Sequence, residues 1–177
     1  MINMHGEIVG WSAVADGSHH AFFMTNGMSA QMMDLGTAGG TNSEAYCINS
    51  NRVVVGCAIM SNGSTEPIMS TNAMLGSSSM MTMGMGGMDA SGGRSWFVND
   101  LGDTAGQTQM SGGNHHAVVS GNRRMMSRTS VDLGTLGGTN SIAYCINNSG
   151  LVVGAAQLTN GTIMPSWSPM PSAAWGA

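Results

Sequence analysis

Short apolar runs broken by glycine, asparagine and serine set the rhythm of this chain. Ile8-Val9-Gly10-Trp11, Ala21-Phe22-Phe23-Met24, Met32-Met33-Asp34-Leu35 and Ala45-Tyr46-Cys47-Ile48 follow one another about a dozen residues apart. None continues into the three-and-four spacing of an amphipathic helix, so each reads as a strand. The expected strands over this stretch are 7–12, 20–24, 31–35 and 44–48. Asn26-Gly27 supplies hairpin chemistry between the second and third, and Gly36, Gly39 and Gly40 stop the third. Later strands are expected at 53–58, 68–70, 94–98, 103–107, 116–120, 129–133, 151–156 and 164–168. The residues between 77 and 88, rich in Ser, Met and Gly, obscure one further strand.

The pattern is written four times. Residues 131–156 nearly duplicate residues 33–58. An Asn after Ile or Val recurs at Asn3, Asn49, Asn99 and Asn147, in steps of 46, 50 and 48 residues. Seven residues beyond each lies a glycine: Gly10, Gly56, Gly106 and Gly154. Three residues before the later three lies an aromatic: Tyr46, Trp96 or Tyr144. Further on, His20-Ala21-Phe22, Glu66-Pro67-Ile68, His116-Ala117-Val118 and Met164-Pro165-Ser166 align without a gap. Internal repeats of this length signal a stacked architecture.

Four short strands per copy predict an all-β protein of four sheet repeats of about 48 residues, β-propeller-like. An open β-solenoid and a fragment of a larger propeller are the alternatives. One repeat domain spans 1–177, with copies at about 1–45, 46–95, 96–143 and 144–177, the last incomplete. Met1 occupies the position of Cys47, Phe97 and Cys145, so the chain is expected to begin inside a repeat. Each small sheet buries its faces against its neighbours. Ile8, Val9, Val54, Val55, Val152 and Val153 should therefore be central. The four strand-interior glycines should mark bulges or close backbone approach. Each repeat Asn, three residues ahead of Gly6, Gly102 or Gly150, should cap a turn. Arg52 stands where the second of these glycines belongs, and Asn51 is expected to take the left-handed conformation there.

Composition narrows the function classes. Charged residues make up 8% of the chain, lysine is absent, and the net charge is −4. A nucleic-acid surface is excluded on that balance; Arg123, Arg124 and Arg128 read as a solvated loop. No apolar run is long enough for a membrane helix. Residues 1–20 show no signal-peptide pattern. Methionine, at 19 residues, suits an adaptable core or contact surface.

Asp-Leu-Gly-Thr-Leu-Gly-Gly at 132–138, Ala-Tyr-Cys-Ile-Asn at 143–147, Val-Val-Gly at 152–154 and His-Ala-Phe at 20–22 together resemble the HAF-type bacterial extracellular repeat family. The resemblance covers nearly the whole chain. It implies a secreted or cell-surface protein with propeller-like repeats and no assigned catalysis. Residues 66–68 and 164–166 depart from the triplet, and so does the Met-rich insertion.

The candidate chemistry is sparse. His19-His20 and His115-His116 occupy matching positions, but neighbours on a strand point to opposite faces. His20 and His116 are the only metal candidates, and a structural bond to a loop carbonyl is the expectation for each. Asp34 and Asp132 are expected to cap their glycine-rich loops through backbone N–H groups. Asp100 and Asp103 lack the alternating acids of a calcium loop. Cys47, Cys57 and Cys145 are expected as buried free thiols, with a Cys47–Cys57 disulfide as the alternative. No catalytic residue and no cofactor is predicted. A propeller hydrolase or lyase would need clustered carboxylates or histidines, which this chain has in short supply.

The expected function is therefore non-enzymatic: an extracellular or cell-surface repeat protein for surface structure, adhesion or self-assembly. Partners would be further copies or other surface proteins. A glycan-binding propeller using Trp11, Trp96 or Trp167 is the alternative.

Overall fold

A computed structural model describes residues 1–27, 30–83, 92–121 and 130–169. The fold is all-β and comprises four antiparallel sheets, none of them closed. Sheet 1 contains β1 (Ile8–Ala13), β2 (His19–Met24) and β3 (Met32–Gly36). Sheet 2 contains β4 (Asn42–Ile48), β5 (Val54–Ile59), β6 (Thr65–Ser70) and β7 (Met80–Thr82). Sheet 3 contains β8 (Arg94–Val98), β9 (Thr104–Gln109), β10 (His115–Ser120) and β11 (Ser130–Asp132). Sheet 4 contains β12 (Gly137–Ile146), β13 (Leu151–Leu158) and β14 (Ile163–Pro169). Every sheet is a simple up-and-down meander.

Two boundaries differ from those the repeat suggests. The Ile-Asn turn lies inside a sheet: Ile48 pairs with Val54, and Ile146 with Val152. The strand ahead of each Asn thus belongs with the strand behind it, and copies begun at residues 46, 96 and 144 would cut β4, β8 and β12. In sheet 2 the third-strand segment is displaced by a 3-10 helix over Ala73–Ser79, which Asn72 caps by accepting the Met74 N–H at 3.1 Å. β7 follows it. Residues 84–88 of the Ser-, Met- and Gly-rich stretch lie outside the described residues, as do Arg123, Arg124 and Arg128.

Consecutive sheets stack face to face. The seam between sheets 1 and 2 buries Val9, Ala21, Phe23 and Leu35 against Ala45, Ile48 and Val54. The seam between sheets 2 and 3 brings Cys47, Val55, Met69 and Met83 onto Val98. The seam between sheets 3 and 4 packs Ala105, Ala117, Val119 and Leu133 against Ala143, Ile146 and Val152. No comparable contact joins sheet 4 to sheet 1 among the described residues. Two of the six expected core residues are therefore exposed. Ile8 is 36% accessible and Val153 45%, because each sits on the outer face of an end sheet.

The strand glycines answer a backbone demand. The register slips between Ala45 and Cys47 and between Ser95 and Phe97, which makes Tyr46 and Trp96 bulge residues. Gly56 and Gly106 lie opposite the two bulges. A Cβ on Gly56 would stand 1.8 Å from the Glu44 carbonyl oxygen, and one on Gly106 2.0 Å from that of Arg94. Only glycine admits that approach.

Candidate functional site

The repeat Asn residues form a ladder through the stack. Asn3, Asn49 and Asn99 each use their two side-chain ends differently. The Oδ1 atoms accept backbone N–H groups of their own turn: Asn49 from Asn51 and Val53, Asn99 from Leu101 and Asp103, all at 2.8–3.0 Å. The Nδ2 atoms reach into the next sheet. Asn3 donates to the Asn49 carbonyl at 3.1 Å, Asn49 to that of Asn99 at 2.8 Å, and Asn99 to that of Asn147 at 3.0 Å. One side chain thus closes a turn and fixes the register between sheets. Asp100 reinforces two seams at once. Its carboxylate accepts the Ser50 N–H at 3.0 Å, and its own N–H donates to Asn148 Oδ1 at 3.0 Å. The Ser50 N–H chiefly holds the Asp100 carboxyl below its ordinary range.

In the second turn Arg52 itself takes the left-handed conformation, with φ of 62°, where Gly102 has 82°. Asn51 does not: the turn takes positive φ at its fourth residue, where Gly6, Gly102 and Gly150 stand in the other copies, and the Asn51 amide donates to the Asp100 carbonyl at 2.8 Å. Arg52 Nε instead meets Glu7 Oε1 at 2.6 Å across the first seam. Burial opposes ionisation of Glu7, but the Asn3 amide and the Arg52 guanidinium outweigh it and hold the carboxyl below its ordinary 4.5.

A second device explains the His, Asp and Ser positions. His20 Nδ1 lies 2.8 Å from Asp34 Oδ2, and His116 Nδ1 2.9 Å from Asp132 Oδ2. The histidine partner is thus a carboxylate, not the expected loop carbonyl. The other carboxylate oxygen of each pair accepts the N–H of Gly36 at 2.6 Å or Gly134 at 2.7 Å. Ser43 and Ser141 then join the sheets. Their hydroxyls accept the N–H of Ala21 and of Ala117 at 2.8 Å, and donate to the carbonyls of Gly36 and Gly134. Asn42 and Asn140 accept the N–H groups of His19 and His115. Sequence reasoning did not assign Ser43, Ser141, Asn42 or Asn140. Their signal was present in the duplicated Gly-Gly-Thr-Asn-Ser.

Asp34 and Asp132 lie in different sheets, each engaged with its own histidine, and no cluster of three metal-ligating side chains occurs among the described residues. The three cysteines are free thiols; Cys47 and Cys57 are buried as expected, whereas Cys145, at the same repeat position as Cys47 but in end sheet 4, is only half-buried. Cys57 Sγ lies 3.1 Å from Tyr46 Oη, on the bulge, and does not meet Cys47. Tyr46 also donates to Glu44 at 2.7 Å, accepts from Arg94 at 3.0 Å and stacks on Trp96 at 4.8 Å. Burial, then the Cys57 and Glu44 contacts, push the Tyr46 hydroxyl far above its ordinary value. Trp11 and Trp167 are exposed on sheets 1 and 4. A cleft of about 200 Å3 opens at the seam of sheets 2 and 3, lined by Asn49, Met69, Met83, Asp100 and Thr104 among others.

The chain is thus an all-β repeat protein whose motif residues bond one sheet to the next. No family model and no curated protein matches it.

Proposed function

We propose that the protein is a non-enzymatic, self-associating structural repeat module acting outside the cell or at its surface. One observation carries this reading. The recurring polar groups, namely the Asn ladder and the His–Asp–Ser latches, are spent on joining sheet to sheet. A motif of that kind builds a scaffold. The scarcity of charge suits close packing between copies, since little charge has to be desolvated. The HAF-type repeat resemblance supports the extracellular setting. Sedimentation velocity of the purified chain over rising concentration tests the reading: oligomers are expected, and a monomer at the highest soluble concentration overturns it.

Glycan binding is a second reading, favoured by the exposed indoles of Trp11 and Trp167, 56% and 51% accessible. Their fluorescence should shift on a glycan panel if that reading holds, and an unchanged spectrum removes it.

A further inference from the structure

The four sheets alternate in type. Sheets 1 and 3 carry an acid four residues after the ladder Asn, Glu7 or Asp103, and a His-Ala pair in β2 or β10. Sheets 2 and 4 carry an apolar residue at the first position, Val53 or Leu151. Pro67 or Pro165 replaces their alanine. The structural unit is therefore a pair of sheets. Within each pair the latch closes the seam, with Ser43 or Ser141 taking the alanine N–H.

Between pairs the seam is of another kind. Pro67 has no N–H to offer, and Gly93, just ahead of β8, stands six residues before Asn99 as Ser43 and Ser141 stand before Asn49 and Asn147. Sheet 2 meets sheet 3 through apolar side chains, the Asn49–Asn99 bond, the bonds of Ser50 and Asn51 to Asp100, and the Arg94–Tyr46 bond, with no serine latch among them.

Sheet 4 presents this same proline-type face with no sheet of the described residues against it. Val153 is 45% exposed where Val55 is 0%, and Trp167 is 51% exposed where Met69 is 6%. The opposite face of sheet 1 is bare in the complementary way. Ile2 is 60% exposed where Ile48 is 3%, and Ile8 is 36% exposed where Val54 is 1%. The ladder is open at the same two places. Among the described residues Asn147 Nδ2 makes no bond, and the Asn3 carbonyl takes only the Gly6 N–H of its own turn at 3.1 Å. An outgoing donor at one end thus matches an incoming acceptor at the other.

We propose that the Val153/Pro165/Trp167 face of sheet 4 receives the Ile2/Ile8 face of sheet 1 from a second copy of this chain, head to tail. The seam repeats the one between sheets 2 and 3, with Asn147 donating to the partner copy's Asn3 carbonyl. β14 carries no charged residue, so the face enters the seam without stranding a charge. The contact is heterologous, so it propagates into a ring or an open filament. This rests on the self-association reading and specifies the surfaces it uses.

The test uses two single variants of the full chain, Trp167→Asp at one end and Ile8→Asp at the other. Sedimentation velocity follows assembly, and circular dichroism and melting confirm that each remains folded. Milder variants, Trp167→Ser and Ile2→Ser, repeat the measurement if an acid unfolds the chain. Each variant alone should sediment as a monomer, its association weakened about tenfold or more. Mixed together they should form a one-to-one dimer and nothing larger, because one intact head meets one intact tail. Continued pairing of the Ile8 variant with itself would mean tail-to-tail contact and overturn the proposal. Assembly of both variants as in the parent chain would overturn this seam while leaving self-association standing. A parent chain that never assembles would remove both.

Discussion

Asn49 donates its side-chain amide to the carbonyl of Asn99, 50 residues later and one sheet away, at 2.8 Å. The donor is buried, and its oxygen simultaneously closes the turn between β4 and β5 through Asn51 and Val53. Substituting Asn49→Ala removes three bonds and leaves buried N–H and C=O groups unpaired. The expected cost is about 2–4 kcal/mol, since buried groups left unsatisfied cost about 1–3 kcal/mol. Asn147→Ala should cost about 1 kcal/mol, because only its turn-closing half is in use. Urea unfolding of the two variants at a concentration where the chain is monomeric measures the difference.

The latch predicts a contrast between seams. Ser141→Ala removes the bonds to the Ala117 N–H and the Gly134 carbonyl at once, and Ser43→Ala does the same at Ala21 and Gly36. Each should destabilise by about 1–3 kcal/mol. The His116–Asp132 pair is only partly shielded, with side chains 23% and 29% exposed. A double-mutant cycle on it should return about 1 kcal/mol or less. Gly93→Ser, at the seam that lacks a latch, should bring no comparable gain, because Pro67 has no N–H to give it.

Gly56→Ala and Gly106→Ala should be among the most damaging single substitutions. The new methyl would overlap the Glu44 or Arg94 carbonyl oxygen, which belongs to rigid paired backbone. A loss above about 3 kcal/mol, or failure to fold, is expected. At Gly39 the added methyl meets open space, and the cost is that of a φ of 91° alone. About 1–2 kcal/mol is expected there. Thermal melts of the three variants rank them.

The period, most of the strands and the bulge glycines Gly56, Gly106 and Gly154 were legible in the chain because backbone geometry imposes them locally. By contrast, β12 was not among the expected strands, and Gly10 pairs with Phe22 with no bulge opposite it. Sheet membership was not read from the period, since a repeat can be cut at any phase. A usable signal existed: only a short Asn-led turn separates Ile48 from Val54, whereas a long stretch separates β7 from β8, and short links join paired strands. The exposure of Ile8 and Val153 was hidden for a different reason. Motif similarity makes end sheets look like middle ones, although a face is buried only where a neighbour exists. The Asn and Ser seam bonds escaped notice because their partners lie in the next copy of the motif, which no local pattern contains.

Acid and alkali should loosen the stack from different places. Glu7 is almost fully buried and titrates below its ordinary 4.5. Unfolded chain therefore binds this proton more readily than folded chain. The stability Glu7 contributes is complete above pH 4.5 and drains away as pH falls through its lower folded value. Glu7→Gln should flatten that acid limb, while Arg52, left in its left-handed turn without a carboxylate, lowers stability at neutral pH. Tyr46 acts with the opposite sign. Its folded value is raised above the ordinary 10.0, so the folded state holds the proton after the unfolded chain has released it. Its contribution is intact below pH 10.0 and is lost as pH rises beyond it. Tyr46→Phe should remove that alkaline loss, at the expense of the bonds to Glu44 and Arg94. Equilibrium unfolding across pH, with phenolate absorbance followed in parallel, separates the two limbs: Tyr46 should ionise only together with unfolding.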